Sequence, residues 1–94
     1  MLLHLDARAL KDWLTACPDA EELGNDEYTV DLYDVESPLS LDLQLGKQGV
    51  ELLAALTLRY DEELDGWYLD QRVDNAALVE RMLQSALEAG ARPE

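Results

Sequence analysis

Asp61, Glu63 and Asp65, followed by Gly66, stand where a calcium-binding EF-hand loop places its first oxygen ligands and its turn glycine. Such a loop closes with a bidentate glutamate at its twelfth position. Here that position is Arg72, and both flanks read as strands rather than helices. The segment is better described as a solvated acidic hairpin tip whose carboxylates would hold calcium only weakly. Other metal or nucleophilic chemistry finds less support. His4 is the one histidine and Cys17 the one cysteine, too few for the roughly four ligands of a zinc site. A Cys17–His4 dyad would be stretched along a single helix and has no third group to orient it. Carboxylate pairs are too plentiful here to single out an acid–base couple. Neither a glycine-rich phosphate loop nor a basic strip with interleaved aromatics occurs. These absences predict a protein that is not an enzyme and needs no cofactor or metal.

Charge is the dominant feature. Twenty-one acidic residues oppose seven basic ones, a formal net of −14 over 94 residues. A chain this acidic is disordered when its hydrophobicity is also low, but 48% of these residues are apolar and they recur periodically. The charge therefore belongs on a folded surface. That surface repels nucleic acid and anionic membrane and favours a basic protein partner. A lone cysteine suits a reducing compartment. The start of the chain has no basic segment ahead of an apolar one, and no apolar run approaches the roughly 20 residues of a membrane span. A cytoplasmic protein is expected.

The elements that would display this charge can be read from periodicity. Leu39, Leu41, Leu43 and Leu45 alternate with Ser40, Asp42 and Gln44, the period of a half-buried strand. Gly46-Lys47-Gln48-Gly49 supplies a turn. Apolar residues then fill the even positions Val50, Leu52, Ala54, Leu56, Leu58 and Tyr60. Helix propensity alone would make Val50–Leu56 helical, but unbroken even parity favours a strand. Around this hairpin, Leu2–Cys17 is predicted as a helix with Asp6 as N-cap and Leu10, Trp13, Leu14 and Cys17 on one face. Pro18–Leu23 is predicted as one further helical turn ended by Gly24. Glu27–Val35 reads as a strand with Tyr28, Val30 and Leu32 inward. Gly66–Val73 reads as another, with Trp67 and Leu69 inward. Asp74 is expected to cap a final helix ending at Gly90, with Leu78, Val79, Met82, Leu83, Ala86 and Leu87 as its buried stripe. The prediction is a single α+β domain over residues 1–94: a four-stranded antiparallel meander, α-β-β-β-β-α, with both helices on one face.

This parity leaves Glu27, Asp31, Asp42 and Glu51 on the opposite, open face, beside Tyr33 and Leu53, with Asp34 and Glu36 in the following turn. From residue 19 to residue 36 the chain has eight acidic residues and no lysine or arginine. Same-face residues of a strand lie about 6.7 Å apart, close to two phosphate rises of 3.4 Å along one DNA strand. The surface is either solubilising only or a contact site, and Tyr33 and Leu53 favour a contact site. Two functions follow. In one, the protein inhibits a basic nucleic-acid-binding complex or nuclease by mimicking phosphates, in the manner of anti-CRISPR, anti-restriction or nuclease-immunity proteins. In the other it is a small acidic dimeric chaperone or adaptor, loosely like those of type III secretion. A monomer suits the first and a homodimer is required by the second.

Overall fold

The structure, a computed structural model, describes residues 2–33 and 37–90. It is an α+β fold, with eight elements among the described residues: β1 (Leu2–Leu3), α1 (Ala7–Ala16), β2 (Ala20–Gly24), β3 (Glu27–Leu32), β4 (Leu39–Gly46), β5 (Gly49–Asp61), β6 (Gly66–Arg72) and α2 (Ala76–Gly90). All strand pairs are antiparallel. The order across the sheet is β1-β5-β4-β3-β2, and β6 also pairs with β5. The 13-residue β5 has room for both: its start pairs with β1 and its far end with β6.

The sheet thus has six strands where four were expected. The predicted helix over Leu2–Cys17 begins only at Ala7, because Leu2 and Leu3 pair with Glu51 and Val50. Asp6 does cap the helix, accepting from the Arg8 and Ala9 amides at 3.0 and 3.4 Å. Of the helical turn expected over Pro18–Leu23, the last four residues, from Ala20, instead belong to β2, and Pro18 and Asp19 form the turn that leads into it. Asn25 and Asp26 both take positive φ (53° and 61°), which matches the right-handed twist of a two-residue hairpin, and this turn folds β2 onto β3. β3 ends at Leu32 rather than Val35, and residues 34–36 of the expected turn lie outside the described residues. β5 is a strand throughout, as its parity predicted against its helix propensity. The cap of α2 is Asn75, whose Oδ1 accepts from the Leu78 amide at 3.2 Å; Asp74 pairs with Arg72 instead.

One core joins the two helices to one face of the sheet. Leu10 and Leu14 of α1 and Val79 and Leu83 of α2 are buried with Leu3, Val30, Leu41, Leu43, Val50 and Leu52. Trp13, Cys17, Met82 and Leu87 pack at its margin, while Leu78 of the predicted stripe is exposed. At the hairpin between β4 and β5, Gly49 has φ +139°, and a Cβ there would meet the Leu3 carbonyl at 3.0 Å. Glycine at this turn is therefore what lets β1 lie against β5. Among the described residues no helix is long and apolar enough to cross a membrane.

Candidate interaction face

The side of the sheet away from the helices is built by register. On β3 and β4 alternation is unbroken: Tyr28, Val30, Leu32, Leu39, Leu41, Leu43 and Leu45 are buried, so Glu27, Thr29, Asp31, Ser40, Asp42 and Gln44 project the other way. On β5 it is not. Leu43 pairs with Leu52 and Asp42 with Ala54, leaving Leu53 as an extra residue in a β-bulge. Beyond it the inward residues are Ala55, opposite Leu41, and Thr57, opposite Leu39. Leu56, Leu58 and Tyr60, expected to face the helices, therefore lie on the open face.

Their partners on β6 follow them. Leu69 pairs with Leu58 and Trp67 with Tyr60, so both residues predicted as inward are on the open face, 54% and 46% exposed. A second irregularity sets Asp70 and Gln71 against Thr57, whose hydroxyl accepts from the Gln71 amide at 2.9 Å.

Read across the strands, the open face has two halves. Its acidic half has Glu27, Gln44 and Glu51 in one ladder row, Glu21, Thr29, Asp42 and Ala54 in the next, and Asp31, Ser40, Leu56 and Arg72 in a third. Glu27, Asp31, Asp42 and Glu51, which the sequence placed together, do share this surface. Leu53 stands beside them on the bulge, 40% exposed. Asp34 and Glu36 lie outside the described residues. Arg72 is the basic residue of these rows and is paired with Asp74 at 3.0 Å.

The other half is aromatic. Tyr33, just past β3, has its ring centroid 5.3 Å from that of Trp67, inclined at 57°; Tyr60 lies 5.4 Å from Trp67, inclined at 65°. In a flat sheet β3 and β6 would be about 14 Å apart, three strand spacings. The two rings close that gap by leaning towards each other across the open face, where the two irregularities increase the twist of the sheet. Leu58 is only 8% exposed yet is not part of the helix-side core, so its cover comes from this side. Tyr33 donates to Asp31 Oδ2 at 3.3 Å and Tyr60 donates to Asp65 Oδ1. Partial burial, with the Asp31 charge and hydrogen bond, pushes the Tyr33 phenol above its ordinary value. The Asp65 hydrogen bond does the same for Tyr60.

The sequence reading missed Tyr60, Trp67 and Leu69 as members of this surface. The available signal was the run Leu52-Leu53-Ala54-Ala55-Leu56, apolar at both parities, which fits a bulged strand as well as a regular one.

The residues with metal or nucleophile chemistry are not brought together. Asp61 Oδ1 accepts from the Glu63 and Leu64 amides at 2.9 and 3.4 Å, and Asp65 holds Tyr60, so the acidic tip is organised by its own hydrogen bonds. His4 is tied to α2, its amide and Nδ1 both directed at Glu80 Oε1, and Cys17 closes the far end of α1. Among the described residues no three His, Cys, Asp or Glu side chains are grouped to hold a metal ion. Compared with known proteins, the chain matches no protein family, no curated protein and no solved structure.

Proposed function

We propose that this protein is a non-enzymatic inhibitor that lays its open sheet face on the basic nucleic-acid-binding surface of a partner protein, its carboxylates taking the places of phosphates. The supporting observation is the acidic half of that face, where Glu21, Glu27, Asp31, Asp42 and Glu51 lie in three successive ladder rows away from the helices. Glu27 and Asp31, four residues apart on β3, would follow every fourth phosphate of a strand at about 13 Å, and the acids of neighbouring strands at about 4.8 Å widen the array into a band. The strong net negative charge would steer encounter with a basic surface and repel nucleic acid itself.

The test is charge reversal at Asp31, Asp42 and Glu51 together. Wild-type protein retrieves its partner from lysate at low salt and loses it at high salt, and displaces labelled DNA or RNA from the purified partner. The triple variant, with an unchanged circular dichroism spectrum, does neither, whereas reversal of Glu88 alone has little effect. Displacement by the triple variant at wild-type concentrations refutes phosphate mimicry.

A second reading, the dimeric chaperone or adaptor, draws on the exposed Tyr60, Trp67 and Leu69. It requires a homodimer by sedimentation with Trp67 withdrawn from solvent, and a monomer at micromolar concentration eliminates it.

A further inference from the structure

We propose that the Tyr33–Trp67–Tyr60 cluster is a binding site for the guanidinium group of an arginine side chain supplied by a basic partner. The proposal rests on the partner-binding reading above and names the chemical group that the aromatic half of the face takes.

Three features meet here. The first is aromatic area left open to solvent: Tyr33, Tyr60 and Trp67 are 37%, 47% and 46% exposed, their planes inclined to one another, and an aromatic face attracts a cation through its quadrupole, tryptophan most strongly. The second is a carboxylate on each side. Asp31 and Asp65 each receive a phenol proton on one oxygen, which fixes them beside the rings, and the second oxygen of each has no partner among the described residues. Donating to a carboxylate also keeps both phenols protonated and enriches their rings in electron density. The third is that the cations of the same two strands are engaged elsewhere, Arg59 with Asp70 and Arg72 with Asp74. Neither of these arginines is paired with the cluster, so an arginine of another molecule can supply its charge complement. A second copy of this chain is a poor occupant, since it would bring a further −14 against the same acidic rows.

Guanidinium fits better than ammonium. It is planar and weakly hydrated, so it can stack on a ring while its edge donates to a carboxylate; a lysine ammonium is a compact, strongly hydrated point charge. Leu69, exposed on the same face beside Leu58, would cover the arginine's methylene stem.

The probe is triarginine amide, with trilysine amide and tricitrulline amide as charge-matched and shape-matched controls. Trp13→Phe leaves Trp67 as the only tryptophan, so its fluorescence reports on the cluster. Triarginine should give a saturable change, with trilysine at least about fivefold weaker and tricitrulline inert. Asp31→Asn with Asp65→Asn should weaken triarginine about tenfold. In the wild-type background, nitrogen–proton NMR spectra should show triarginine shifting amides of β6 and of residues near Tyr33, and Trp67→Leu should abolish those shifts while leaving the rest of the spectrum in place. Equal responses to trilysine, a response to tricitrulline, or β6 shifts that persist in Trp67→Leu would each overturn the proposal. So would a dimer that buries Trp67. None of these measurements uses the natural partner. If triarginine fails while the triple charge reversal still blocks nucleic-acid displacement, the arginine site falls and the phosphate-mimic reading stands. The opposite pair of results leaves the arginine site and removes the mimicry.

Discussion

Leu41→Lys and Leu56→Lys place the same side chain on adjacent strands of one sheet, and the bulge at Leu53 makes their consequences opposite. Leu41 is fully buried, opposite Ala55 and within the cluster that includes the leucines of both helices. Replacing it forfeits about 2 kcal/mol of apolar burial. It also forces an ammonium into the core at several kcal/mol after relaxation. The total of at least about 5 kcal/mol reaches the lower end of what a domain has altogether, about 5–15 kcal/mol. Leu56 lies beyond the bulge, opposite Ser40 and Arg72, on the face without helices. A lysine there can lay its stem along the sheet and raise its charge into water, within the same ladder row as Asp31. The expected cost is about 1 kcal/mol. With a urea dependence of about 1–3 kcal/mol per molar for small proteins, that moves the midpoint by no more than about 1 M. Urea titrations followed by tryptophan fluorescence and far-ultraviolet circular dichroism separate the two variants. Leu41→Lys should be unfolded or nearly so in buffer, and Leu56→Lys folded. If Leu56→Lys also unfolds, Leu56 faces the helices and the bulge assignment is wrong.

Three further outcomes are expected. Alkaline absorbance titration should show Tyr33 and Tyr60 ionising after an unperturbed tyrosine, because their folded values are raised; the stability they add is full below the unfolded value near pH 10 and is lost as pH rises through the folded values, and Asp31→Asn should bring Tyr33 back towards that ordinary value. Asn75→Ala should cost about 1 kcal/mol by thermal or urea unfolding, and Asp74→Ala, which removes only an exposed ion pair, under about 0.5 kcal/mol; equal losses would return the cap to Asp74. Addition of chelator should leave the melting temperature unchanged, since Asp61 and Asp65 are held by amide and phenol donors within the turn, and a large drop would restore the calcium reading of this loop.

What could be read in the sequence was what local pattern determines. The leucine alternation of β4, its Gly-Lys-Gln-Gly turn, the Asp6 cap and the inward stripe of α1 are each specified within a few residues, and all are present. β2 was hidden because Ala20-Glu21-Glu22-Leu23 are good helix formers that become a strand only through the hairpin to β3. β1 was hidden because two residues carry no period and pair with a strand nearly fifty positions away. The acidic half of the open face was legible because β3 and β4 keep strict alternation. The aromatic half was not: one surplus residue at Leu53 turns every later side chain of β5 over, and apolar residues at both parities conceal the change.

The connectivity of this sheet also has a bearing on how the chain folds. β2–β3, β3–β4, β4–β5 and β5–β6 are each pairs of sequence neighbours, and two of the four are joined by two-residue turns. Such pairings close short loops at little entropic cost, so the meander can zip outward from the β4–β5 hairpin. Among the strands β1 must wait, because its site on β5 exists after that hairpin has formed, and its closure spans about half the chain. The expected order in time is hairpin, meander, then docking of β1 with the helices. In hydrogen exchange the Leu3–Val50 seam should accordingly open more readily than the ladder between β3 and β4, with its own smaller free energy.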